Sequence, residues 1–154
     1  MLWVDPFYVM SLKVSIKGHG ASIAIEVFGY ENLSAQNASD ANWLNCRVVV
    51  DMGQFVGNYD ASFTTSDFIR FRNELKTLQN TMRGSASFVT DEEALNCTIE
   101  MRATGTALVK GTARVHGHTT ATLSFSFESD QSFLAEALRE VEAAVCEFPL
   151  KMIS

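Results

Sequence analysis

Apolar and polar residues alternate one by one along most of this chain. Leu12, Val14 and Ile16 interleave with Ser11, Lys13, Ser15 and Lys17, and Gly18-His19-Gly20 then breaks the run. Ala21, Ile23, Ile25 and Val27 share one face of a second strand. The small, polar stretch 31–41 reads as the longest loop. From Trp43 to Asp51, Leu44, Cys46, Val48 and Val50 point one way, and Trp43, Asn45, Arg47 and Val49 the other. Both sets are largely apolar, which predicts a central strand buried on two sides. Asp51-Met52-Gly53 predicts a hairpin, after which Phe55, Tyr59, Ala61 and Phe63 alternate again.

At Thr65 the period changes. Phe68, Phe71, Leu75, Leu78 and Met82 recur at three- and four-residue steps, one stripe of an amphipathic helix. Thr64 or Thr65 suits its cap, Asp67 its positive end, and Gly84 its close. Four more strands follow. The first starts at Ala86 and Phe88, and Leu95 to Ala103 alternate cleanly after the solvated turn Asp91-Glu92-Glu93. Gly105 and His116-Gly117-His118 turn the chain into Ala107–Val115 and Ala121–Phe127. A second helix, capped by Ser129 or Asp130, carries Phe133, Leu134, Leu138, Val141 and Val145, and Pro149 marks its end. The expected fold class is α+β, with about seven to eight antiparallel strands and two helices, one mid-chain and one C-terminal. Residues 11–150 read as a single domain behind an N-terminal extension, 1–10, and no internal repeat is visible in the sequence.

Composition narrows the function classes. The 154 residues carry a net charge of −6, which disfavours non-specific binding to nucleic acid or anionic lipid and favours a basic partner. The three cysteines, Cys46, Cys97 and Cys146, are far apart, fit neither a disulfide framework nor a CxxC metal site, and each falls on an apolar face as an expected buried thiol. Asp5-Pro6 interrupts the apolar start before it reaches signal-peptide length, and no run approaches a membrane span. The expected location is cytoplasmic.

Candidate chemistry is sparse. His116 and His118 would project to one face of a strand as metal ligands, but Gly117 between them marks a turn. Glu26, Asp40, Asp51, Glu100 and Glu128 are scattered carboxylates on strands or at their ends. Gly105, Gly111 and Gly117 read as hairpin corners or bulges and not as a phosphate loop. Thr98, Thr112, Thr120, Thr122, Ser124 and Ser126 line a hydroxyl-bearing sheet face, as strand propensity alone would place them. Trp43, on a strand read as central, is expected to be a core anchor packed on Phe68, Phe71 or Leu75, with the anchor of a binding surface as the alternative. No catalytic residue, cofactor site or metal site is expected.

The segment Asp40-Ala41-Asn42-Trp43-Leu44, the strand and hairpin after it, and the helix entry Phe63-Thr64-Thr65-Ser66-Asp67-Phe68 resemble the WapI-like family of small bacterial proteins. Leu123-Ser124-Phe125-Ser126-Phe127, the final helix and Phe148-Pro149 extend the resemblance over roughly residues 12–150. Tyr59, Asp60 and Ala61 stand where that family carries a tryptophan and Asp-Pro. The resemblance implies a non-enzymatic immunity protein that binds a cognate, contact-delivered toxin. Trp43, Asp40 and Asp60 are the candidate partner-binding residues, with no nucleic acid or membrane partner expected and a homodimer left open. The alternative is a small-ligand-binding or enzymatic domain, its apolar pocket between the sheet and the Phe68–Met82 helix and lined by Phe55, Tyr59, Phe63, Phe68 and Phe71.

Overall fold

Eight antiparallel strands form two separate four-stranded sheets in the computed structural model, which describes residues 12–153. The first contains β1 (Leu12–Lys17), β2 (Ser22–Tyr30), β3 (Trp43–Asp51) and β4 (Val56–Thr64), paired in chain order. A short helix α1 (Ala38–Ala41) interrupts the β2–β3 connection, and helix α2 (Thr65–Thr81) follows β4 directly. The second sheet repeats the plan with β5 (Ser85–Val89), β6 (Leu95–Met101), β7 (Thr106–Val115) and β8 (Ala121–Asp130), followed by α3 (Gln131–Glu147). The expected α+β class therefore holds. The architecture is also duplicated, although no period shows in the sequence. Each half is four meandering strands and then a helix of 17 residues.

Period two sets the sheet faces. Val14, Ile25, Val48 and Tyr59 make one inward row of the first sheet, and Ala86, Ile99, Val109 and Phe127 one inward row of the second. Both rows contribute to one continuous core with α2 and α3. The outward row Lys13, Glu26, Arg47, Asp60 alternates in charge across all four strands, the arrangement cross-strand neighbours favour. Strand β3 is accordingly dry on one face only, since Asn45, Arg47 and Asp51 are exposed.

The helices are exchanged between the halves. Helix α2 lies along β5 and α3 along β1, while α2 and α3 pack on each other. The Glu140 carboxylate on α3 accepts the Ser15 N–H at 2.9 Å, and Glu74 on α2 accepts the Ser87 N–H at 3.3 Å. Each bond satisfies an amide in the middle of a first strand, and each glutamate is the tenth residue of its helix. Helix α2 begins with a capping box in which Thr64 Oγ1 and the Asp67 carboxylate exchange bonds with each other's backbone N–H. Asp130 caps α3 through Ser132 and Phe133.

Close approaches fix how the halves meet. A Cβ on Gly18 would stand 2.2 Å from the Glu128 carbonyl and 2.5 Å from the Phe127 ring, where the β1–β2 turn crosses β8. At Gly111 it would stand 1.9 Å from the Asn96 carbonyl, so β7 presses onto β6 where no side chain fits. Gly111 is thus a mid-strand contact, whereas Gly117 lies in the β7–β8 turn as expected.

Several expectations need correction. The 31–41 stretch holds α1, because Asn37 accepts the Asp40 N–H and starts a turn of helix. Phe55 precedes β4 and is exposed, Met52 N–H closing the hairpin on its carbonyl. Strand β6 stops at Met101, and Met82 in the left-handed region caps α2 ahead of Gly84. Cys46 and Cys97 are buried, but Cys146 sits on the outer face of α3, off its apolar stripe, and is exposed. The extension 1–10 lies outside the described residues.

Candidate functional site

Trp43 opens β3 on the face opposite Leu44 and Cys46. It is half-buried and stands outside the core, and does not pack into the Phe68, Phe71 and Leu75 group. Leu44 takes the inward place because α1 ends at Ala41 and sets the register from Asn42 onward. Asp40, in α1, is exposed and bonded to Asn37. Asp60, on β4, is exposed and paired with Arg47 at 3.1 Å across the strands. Trp43 and Asp60 thus share the outward face of the first sheet, with Asp40 beside the start of β3. No cavity joins the three, although Asp60 lines shallow surface depressions with Asn45 and Ser62 on one side and Glu92 and Arg114 on the other.

The residue of this segment with the densest bonding is Asn42. Its Nδ2 donates to the carbonyls of Ala38 at 2.8 Å and Lys151 at 3.1 Å, and its Oδ1 accepts the Lys151 N–H at 2.7 Å. Its own carbonyl accepts the Thr65 N–H at 2.9 Å. Tyr30 completes the clasp on the chain after α3, its hydroxyl donating to the Pro149 carbonyl at 2.5 Å while Lys151 Nζ lies 3.8 Å from the ring centre. Nothing in the local pattern singled out Asn42. A polar residue between two apolar ones at a strand start was the one available signal.

The aromatic space beside α2 is filled. Phe63 meets Phe88 edge to face at 5.0 Å, and Phe71 meets Phe88 at 5.8 Å. Phe63, Phe68, Phe71 and Phe88 are all fully buried. The expected apolar ligand pocket at that place is therefore overturned: its rings pack on each other, while Phe55 and Tyr59 belong to another part of the surface.

Reactive groups are muted. Burial pushes the thiols of Cys46 and Cys97 up to about 12, so both stay protonated at neutral pH and are poor nucleophiles. Burial likewise takes the Tyr59 phenol to about 12, with its hydroxyl donating to the Ala94 carbonyl at 2.6 Å. His116 and His118 are exposed in the β7–β8 turn. Among the described residues, no three His, Cys, Asp or Glu side chains gather as metal ligands, and no helix is long and apolar enough to cross a membrane.

The fold is a duplicated antiparallel α+β architecture with a filled core and a charged, strand-built surface. The chain belongs to the immunity protein WapI-like family, whose model matches residues 13–149. A search of curated proteins found no match.

Proposed function

We propose that this protein neutralises a contact-delivered toxin by binding it, without catalysis, in the cytoplasm that the toxin would attack. The observation that carries this reading is the immunity-family match across nearly the whole chain. The surface chemistry supports it. A net charge of −6 provides complementary potential and fast association for a basic toxin such as a nuclease. Trp43, Asp40 and Asp60 remain candidate contacts, as an exposed face with one large half-buried ring and carboxylates suits such a partner. The test is co-expression with the toxin encoded beside the gene, followed by calorimetry on the purified pair. Protection of growth with a stoichiometric complex is expected. Growth arrest despite abundant folded protein would reject the reading.

A further inference from the structure

The two hairpins β3–β4 and β7–β8 occupy equivalent places in the two halves, and their ends meet. Between them lies an open apolar groove of about 260 Å³, lined by Val50, Phe55, Val56, Val115, Ala121 and Leu123. Three of these side chains are left in water: Phe55 is 69% exposed, Val56 68% and Val115 37%. Scattered apolar residues are ordinary on a surface, whereas a cluster around a concave groove marks a contact site. The strands beside it are also incomplete. β4 pairs only with β3, and β8 only with β7, so both present unpaired N–H and C=O groups along the groove. The outer edges of β1 and β5 are by contrast covered by α3 and α2.

Charge identifies the kind of occupant. The groove continues past Tyr59 and Val115 into a polar stretch bearing Asp60, Glu92 and Arg114. The cations here are already engaged, Arg47 with Asp60 at 3.1 Å and Arg114 with Glu93 at 3.3 Å. Glu92 on this stretch and Asp51, next to the lining residue Val50, form no ion pair among the described residues, and the titratable His116 lines the stretch as well. The rim is therefore net acidic. A second copy of the chain would bring another −6 and the same rim against it, so self-association is disfavoured.

We infer that this groove is the docking site for an extended, basic segment of the partner protein, one apolar side chain entering between Phe55 and Val115 and its Lys or Arg flanks meeting Asp51, Asp60 and Glu92. Strand addition to β4 supplies backbone hydrogen bonds, the groove supplies the anchor, and the rim supplies selectivity. The inference rests on the toxin-binding reading and names its surface.

The experiment uses the full chain and a catalytically inactive form of the toxin encoded beside its gene. Calorimetry compares wild type with Phe55→Asp, Val115→Asp, Trp43→Ala and Leu33→Asp. Leu33 is 82% exposed and away from the groove, so it reports any general effect of an added carboxylate. Thermal melts establish that each variant is folded, as expected for the exposed Phe55, Val115 and Leu33 and the half-buried Trp43. Phe55→Asp and Val115→Asp should each weaken binding by about 30-fold or more, Leu33→Asp should leave it unchanged, and added salt should slow association. Wild-type affinity in both groove variants, or a loss confined to Trp43→Ala, overturns the groove and leaves the immunity reading standing. A wild-type dimer in light scattering that Phe55→Asp dissociates assigns the groove to self-association and overturns the inference. Failure of the wild type to bind the toxin removes the toxin-binding reading and this inference with it.

Discussion

Asn42 shows how much one amide can organise, since its side chain and carbonyl join α1, the start of α2 and the chain beyond α3. Replacing it by alanine leaves the half-buried Lys151 N–H and two carbonyls without that partner. Asn42→Ala should therefore cost ~1–3 kcal/mol in urea unfolding. Its neighbour is expected to behave differently. A fully buried tryptophan truncated to alanine costs ~3–5 kcal/mol, but Trp43 is half-buried and outside the core, so Trp43→Ala should cost only about 1–2 kcal/mol. A thermal melt of each variant checks the order, Asn42→Ala losing at least as much as Trp43→Ala. The role of Asn42 was not legible in the sequence because its partner, Lys151, lies 109 positions away. Trp43 was misjudged because Val49 made both faces of its strand look apolar, while Asn45, Arg47 and Asp51 keep the outward one wet.

Elements were the most legible level, because their signals are local. Strand alternation, the helical stripe from Phe68 to Leu78 and the Thr64–Asp67 cap each involve residues a few positions apart. What closes the sheet edges depends on distant pairs. Glu140 and Ser15 are separated by 125 positions, and Glu74 and Ser87 by 13. Both glutamates make charge-assisted bonds to a strand amide, so Glu140→Ala and Glu74→Ala should each destabilise by ~1.5–3 kcal/mol. The shorter Glu140 bond should weigh more. Hydrogen exchange provides the specific readout: the Ser15 amide should lose protection in the first variant and the Ser87 amide in the second. Unchanged protection at both would show that the helices cover these edges by packing alone.

At the scale of the whole molecule, the two halves are joined by a few charged contacts with a definite pH signature. The hydrogen bond from Lys17 Nζ to Glu136, at 2.7 Å, holds the Glu136 carboxyl below its ordinary 4.5 and the Lys17 ammonium above its ordinary 10.5. The Ser132 hydroxyl first, and then the first amides of α3, hold Asp130 below 3.8. A lowered carboxyl stabilises the fold above its unfolded value and loses that contribution as pH falls through its folded one. A raised ammonium stabilises below 10.5 and loses that contribution as pH rises through its higher folded value. Urea midpoints should thus decline below about pH 4.5 and above about pH 10.5, and Glu136→Gln should flatten part of both limbs. A difference between variant and wild type that stayed constant with pH would refute the assignment. The Asp130 cap was legible as a local signal, whereas the Lys17–Glu136 pair and the hairpin groove were not. The pair joins β1 to a helix residue 119 positions away, and the groove joins strands of different sheets. The exchanged helices also have a temporal consequence. A ribosome delivers β1 well before α3, the helix that covers it, because the other seven strands and α2 lie between them in the chain. Throughout that interval the Ser15 amide has no carboxylate and the edge of β1 is open to any other strand. Completion of the first half therefore waits on translation of the second, and the nascent chain is most prone to mispair just before α3 emerges.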